Sequence, residues 1–399
     1  MPAVAASVAV VVTDPVLPVL PTPAPAGATL DATHVKYAKQ ALKLVTPEGG
    51  MNLDHAFDGF TATAGTTIGV WYWVAPESLP DARINVVALN GGKLTSIAGE
   101  DTGFGEHAGW NLALYHVDEA LTANTVLRIQ PAGTIWVDSI VLDPLKGHKA
   151  RLVFTHDATP DDFAAHILPL YVKRGLVAAY NITHDATPTT YPDDTLRPLV
   201  DAGMLDMGVY SRPHGMTGDL PDYTTGDWTQ ISNQLASARL QSPFPRPSFV
   251  ASTQNKTGKA YDEALTKTGW PLIRAGWMYG VNAYTTCFDP QYREIATMSV
   301  DLNGTSPAEA RIQSMLDAID FAVEHNLTVT VCQHQVMPDD QVADLSGRGA
   351  LVIKQSVWER VLDHVKQLVD EDRIDVVTMR QIAAVEYPDT LAAWDKKTN

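Results

Sequence analysis

From about residue 147 onward the chain alternates short apolar runs with amphipathic stretches. Apolar runs begin near Leu152, Leu176, Leu205, Ser248, Pro271, Ile295, Leu327 and Ile374, and their length and β-branched content predict buried strands. Between the first two, Phe163, Ile167, Leu170 and Tyr171 recur at helical spacing. Thr159-Pro160-Asp161-Asp162 supplies a cap, a first-turn proline and two acids, and Gly175 supplies a stop. Ser306-Pro307-Ala308-Glu309 reads as a capping box ahead of Ile312, Leu316 and Ile319. Strands that are apolar on both faces, each followed by a helix, predict an α/β fold with a parallel sheet. Seven or eight such units over residues 147–399 predict an irregular (β/α) barrel.

The pattern before residue 147 is different. Residues 31–146 carry short runs rich in β-branched and aromatic residues: Ile68–Val74, Ile84–Leu89, Trp110–His116, Thr125–Ile129 and Thr134–Leu142. Gly, Asn, Asp and Pro clusters separate them, which predicts an all-β sandwich. The last run resembles the final strand of jelly-roll carbohydrate-binding modules. Trp71, Trp73, Trp110 and Trp136 have two readings: they fill the sandwich core, or they stack on sugar rings.

Residues 1–30 form a third region, with prolines at 15, 18, 21, 23 and 25 and no Lys or Arg. That spacing forbids helix and predicts an extended arm. So apolar an arm is expected to be covered, by a partner or by another subunit. The stretch Ala3–Val12 resembles the apolar part of a secretory signal, but the first basic residue is Lys36.

Composition narrows the partners. A formal charge of -17 argues against nucleic acid and anionic membrane, both of which call for basic patches. No apolar run is long enough to span a bilayer. The two cysteines, Cys287 and Cys332, are too few for a disulfide framework or a Cys-type zinc site, and their pairing is open.

The candidate chemistry lies in a repeated hexapeptide. Thr-His-Asp-Ala-Thr-Pro occurs at Thr155–Pro160 and again at Thr183–Pro188, each time just past an apolar run. His156, Asp157, His184 and Asp185 therefore fall at the carboxyl ends of neighbouring strands, where parallel α/β folds place their ligand crevice.

The first copy also carries a family resemblance. Phe154–Phe163, followed by Ile167–Ile182, resembles the opening of the polysaccharide deacetylase family, the NodB-homology domain of carbohydrate esterase family 4. Members typically read Thr-Phe-Asp-Asp-Gly, a helix, and a strand like Pro-Ala-Thr-Phe-Phe-Val. Tyr261–Gly269, Thr328–His334 and Val376–Ile382 resemble later family segments in the same order. The resemblance implies a general base at Asp157 and a proton donor at His334, with a divalent metal, usually zinc, polarising an acetyl carbonyl. It also puts Ala158 where a metal-binding Asp stands and Tyr210 where the first metal His stands, with His214 at the second. Two of three ligands are thus missing. His156, His184 or Asp185 are the candidates to rebuild a site with His214. Arg246 corresponds loosely to the family's arginine motif, and Tyr210, Arg212 and Asp301 are further candidates for the substrate mouth.

Three functions are expected to compete. One is a hydrolase removing N- or O-acetyl groups from an extracellular or cell-surface polysaccharide. Another is an inactive deacetylase-like barrel that binds glycan or serves structurally. The third places either one on a bacteriophage tail or tailspike as a receptor-binding protein, anchored or oligomerised through the N-terminal arm.

Overall fold

The computed structural model describes residues 15–78, 82–91, 93–95, 97–99, 108–182, 193–210, 233, 247–252, 264–265, 267–275, 284–285, 288, 293–299, 308–341 and 352–397. The chain divides into two compact units, Val8–Lys146 and Gly147–Asn399. Among the described residues no helix is long and apolar enough to cross a membrane.

The N-terminal unit is built from antiparallel strands. They are β1 (Ala28–Asp31), β2 (Ala41–Val45), β3 (Thr67–Val74), β4 (Arg83–Asn90), β5 (Lys93–Thr95), β6 (Ile97–Gly99), β7 (Gly109–Val117), β8 (Thr125–Ala132) and β9 (Thr134–Leu142). One sheet runs β1-β2-β9-β3-β7-β6 and a second runs β5-β4-β8. Alternation along the strands sends Ile68, Val70, Tyr72 and Val74 of the first sheet, and Val86, Ala88, Leu127 and Ile129 of the second, into one apolar cluster. The arm joins it. Val16 forms a β-bridge with Ile140, and Val16 and Leu20 pack on the same cluster.

The tryptophans do not fill that core. Trp71 and Trp73 alternate with its residues on β3 and so face the other side of the sheet. There the segment after β1 lies over them: the His34 ring stacks on Trp73 at 3.5 Å, and the Lys36 ammonium sits 3.9 Å from the Trp71 ring. Asp138 fixes the segment by accepting backbone N–H bonds from Lys36, Tyr37 and Ala38.

The C-terminal unit is a curled, mainly parallel sheet with helices. Its strands are β10 (Ala150–His156), β11 (Ala178–Ile182), β12 (Leu205–Tyr210), β13 (Phe249–Ala251), β14 (Leu272–Ala275), β15 (Tyr284–Thr285), β16 (Glu294–Ala296), β17 (Met298–Ser299), β18 (Thr328–Gln333), β19 (Gln335–Met337), β20 (Val352–Lys354) and β21 (Ile374–Val376). The main order is β15-β18-β10-β11-β12-β13-β14-β16, with β21 on β10. Strands occur at all eight positions where the apolar runs predict them. β16 pairs with β14 while β17, one residue further on, pairs with β18. Pairing therefore runs from β18 through the sheet to β16, and the chain itself, across Thr297, leads from β16 to β17 on β18.

The described helical segments are α1 (Pro160–Asp162), α2 (Leu168–Arg174), α3 (Asp193–Asp201), α4 (Ala308–Glu324), α5 (Gln355–Asp370), α6 (Met379–Glu386) and α7 (Pro388–Lys397), with a π-helical stretch Phe163–Ile167 joining the first two. The predicted signals act as expected at both ends of that first run. The Thr159 hydroxyl accepts from the Asp162 N–H, and Gly175 takes a left-handed φ of 64°. The box expected at Ser306 lies outside the described residues, and α4 begins two residues later.

Val153, Ala179, Phe249, Leu272 and Ile295, one from each of five strands, cluster inside the curl with Met379, Ile382 and Tyr387. Asp206 ties α6 in place by accepting from the Arg380 N–H at 2.7 Å and the Ser248 hydroxyl at 2.5 Å. Burial pushes its carboxyl up to about 6 despite those bonds. Gly208 stands opposite Phe249 in the parallel register, and a methyl added there would lie inside the Phe249 ring's envelope. Gly208→Ala is expected to cost about 1–3 kcal/mol through overpacking, read as a lower urea midpoint, with Phe249→Leu in the same chain recovering part of the loss.

Candidate functional site

Period-two alternation along β10 sends Thr155 inward and His156 outward, with Asp157 following on the inner side just past the strand end. Asp157 is 7% exposed and Arg274, from β14, is 1% exposed. The two form a bidentate pair: Nη1 donates to Oδ1 at 2.7 Å and Nη2 to Oδ2 at 2.6 Å. The same Nη1 lies 3.1 Å from the Thr155 hydroxyl and 3.3 Å from Cys332 Sγ. Tyr210, the last residue of β12, donates its hydroxyl to Asp157 Oδ2 at 2.5 Å, and Cys332 Sγ lies 3.5 Å from that oxygen. His334, just past β18 and 22% exposed at the side chain, places Nε2 4.0 Å from it. Strand ends from β10, β12, β14 and β18 thus converge on one carboxylate.

The electrostatics follow from this packing. Burial alone would raise the Asp157 carboxyl, but the Arg274 charge and hydrogen bonds, with His334 and Tyr210, outweigh it and hold the group far below the ordinary carboxylate range. Burial and the adjacent Asp157 charge raise the Tyr210 hydroxyl well above its usual value. Asp157 is therefore ionised throughout the neutral range, and a carboxylate so stabilised is a weak proton acceptor.

One expected site residue is placed differently from the sequence reading. His156, a candidate metal ligand, points into the helix layer. Its Nε2 lies 2.7 Å from the Tyr171 hydroxyl, and the rings of Phe163, Tyr171 and Trp358 surround it. Alternation along the strand is the reason: adjacent residues cannot share a face. Ala158 is buried, and its carbonyl accepts from the Tyr180 hydroxyl at 3.1 Å. Among the described residues no group of three or more His, Cys, Asp or Glu side chains is placed to hold a metal. Among the described residues the groups around Asp157 do not fit zinc: Ala158 offers no side-chain donor, the Tyr210 phenol is already bonded to Asp157, and a guanidinium spans both carboxylate oxygens. His184, Asp185, Arg212, His214, Arg246 and Asp301 lie outside the described residues.

Arg274 was missed by the sequence reading, which looked to Arg246. The signal was a charged residue inside the apolar run Leu272-Ile-Arg-Ala275. Such a residue is buried only if paired, which marks the need for an acid but not which acid supplies it. Cys332 is buried beside Asp157, and Cys287 lies outside the described residues.

With this geometry in view, comparison with known proteins adds little. No family model matches the chain, and no curated protein matches it. Among solved structures, a family 4 acetyl xylan esterase from Clostridium thermocellum in complex with a cobalt ion aligns over 58% of this chain and 89% of its own, at 12% identity and a TM-score of 0.35. A Streptococcus mutans CE4 esterase aligns over 59% and 87%, at 14% identity and a TM-score of 0.34. A Thermotoga maritima aldolase, DAHP synthase, aligns over 79% and 100%, at 9% identity and a TM-score of 0.33. The two esterases and the aldolase thus match at nearly the same score.

His156 gives a pH prediction. Burial pulls its imidazole from 6.5 down to about 3. Below pH 6.5 the unfolded chain binds a proton that the folded chain refuses, so this stabilisation is full above 6.5 and falls as pH drops toward 3. Urea unfolding at pH 7 and pH 5 should show a loss of stability that His156→Gln reduces; an unchanged slope would contradict the placement.

Proposed function

We propose that the C-terminal unit is a deacetylase-like barrel directed at polysaccharide, hydrolysing N- or O-acetyl groups, and that the N-terminal unit is a jelly-roll-like sandwich. The observation that carries the reading is the convergence of Asp157, Tyr210, Arg274 and His334 at the carboxyl ends of four parallel strands. A polysaccharide target puts the protein outside the cell or on a virion, and that setting belongs to the proposal.

The roles differ from those the family resemblance implies. Asp157, clamped by Arg274, is a fixed negative charge rather than the base. His334, the more exposed partner, takes the proton of the attacking water and delivers it to the leaving amine or alcohol as the acyl carbon–nitrogen or carbon–oxygen bond breaks, leaving acetate. Asp157 positions that imidazole, and the Tyr210 hydroxyl borders the same space.

A second reading, a glycan-binding barrel without turnover, is favoured by the same clamp, since Arg274 and Tyr210 engage both Asp157 oxygens. Acetate release from N- and O-acetylated glycans, with and without added zinc, separates the two. Hydrolysis predicts measurable release that His334→Ala lowers by about 10²-fold or more without lowering the melting temperature. Glycan binding with no release by the wild-type chain selects the second reading.

A further inference from the structure

Asn181 lies on β11, the strand beside Asp157. His156 pairs with Tyr180 in the parallel register, so the next step sets Asn181 level with Asp157. Ala179 on the same strand belongs to the apolar cluster inside the curl, while Tyr180 stacks on Phe163 in the helix layer. Alternation therefore turns Asn181 inward with Ala179. The residue is fully buried, yet among the described residues neither Nδ2 nor Oδ1 has a hydrogen-bond partner. Nearby, Arg274 Nε is also unpartnered. A buried amide with both ends unpaired is costly and uncommon in folded proteins. Arg274 Nη1 and Nη2 and the Tyr210 hydroxyl are already directed at Asp157.

We propose that Asn181 reads the acyl substituent of the substrate, pairing with an acetamido group rather than an acetyl ester. This rests on the deacetylase-like reading of the site and narrows it. A carboxamide offers one donor edge and one acceptor. A secondary amide offers the complement: its carbonyl accepts from Nδ2 and its N–H donates to Oδ1. An O-acetyl ester has the carbonyl but no N–H, so Oδ1 stays buried and unpaired. A site built to meet an N–H discriminates strongly against the analogue without one. Because Asn181 is enclosed, the group that reaches it must be a small substituent rather than the sugar ring.

The test uses the full chain in a His334→Ala background, so that turnover does not consume the ligand. Calorimetric binding is compared for a tetramer of N-acetylglucosamine, its N-deacetylated counterpart and an O-acetylated xylose tetramer, with Asn181 intact and as Asn181→Leu. The expected result is preference for the N-acetylated tetramer. Asn181→Leu should weaken that binding by about ten- to hundredfold, abolish the preference, and leave the melting temperature equal or higher. An unchanged preference, or a melting temperature that falls while binding stays the same, overturns the assignment and makes Asn181 structural. Failure of every tetramer to bind overturns the deacetylase-like reading itself, and Asn181→Leu then shows by its melting temperature alone whether the amide is unpaired.

Discussion

The buried pair between Asp157 and Arg274 is the constraint on which the rest of the C-terminal unit's mouth depends. An arginine at 1% exposure in the middle of a parallel sheet is tolerable only with its charge matched and its donors engaged. Asp157 does this with three strands intervening in the order β10-β11-β12-β13-β14, so the pair crosses the interior instead of running along one edge. Tyr210, Cys332 and His334 then have one fixed carboxylate to gather around. The same clamp that organises the site lowers the basicity of the residue that the family resemblance would make the base.

Below this polar layer the interior is apolar and closely filled. Phe249 lies over Gly208, and Val153, Ala179, Leu272 and Ile295 meet the side chains of α6. Asp206, at the level of that helix, fixes its first turn through the Arg380 N–H. The unit thus separates a packed floor from a polar mouth along the same strands. Asn181 belongs to the polar layer by register.

Much of the scaffold was legible in the sequence. Long apolar runs and strong caps act locally, so the strand positions and the start and stop of the helical run after β10 could be read from neighbouring residues. What could not be read depends on contacts between distant segments. The resemblance aligned Asp157, Tyr210 and His334 with functional positions, and the structure brings those three together. It could not reveal that the arginine meeting Asp157 is Arg274, because pairing across a curled sheet leaves no mark in local spacing. His156 was misjudged because the hexapeptide repeat drew attention to both His and Asp, although strand alternation forces adjacent residues apart. In the N-terminal unit the sequence left the face of the β3 tryptophans open, because only the register relating Ile68 and Val70 to the core decides it.

The most direct measurement of the central claim is a double-mutant cycle on the pair, with Asp157→Asn, Arg274→Met and the double variant unfolded in urea at pH 7. The account predicts that each single change costs about 3–5 kcal/mol, because it strands a buried group, and that the double variant is more stable than the sum of the two losses implies. Additive losses would show that the two residues do not act on each other, and the organisation of the site around Asp157 would have to be abandoned.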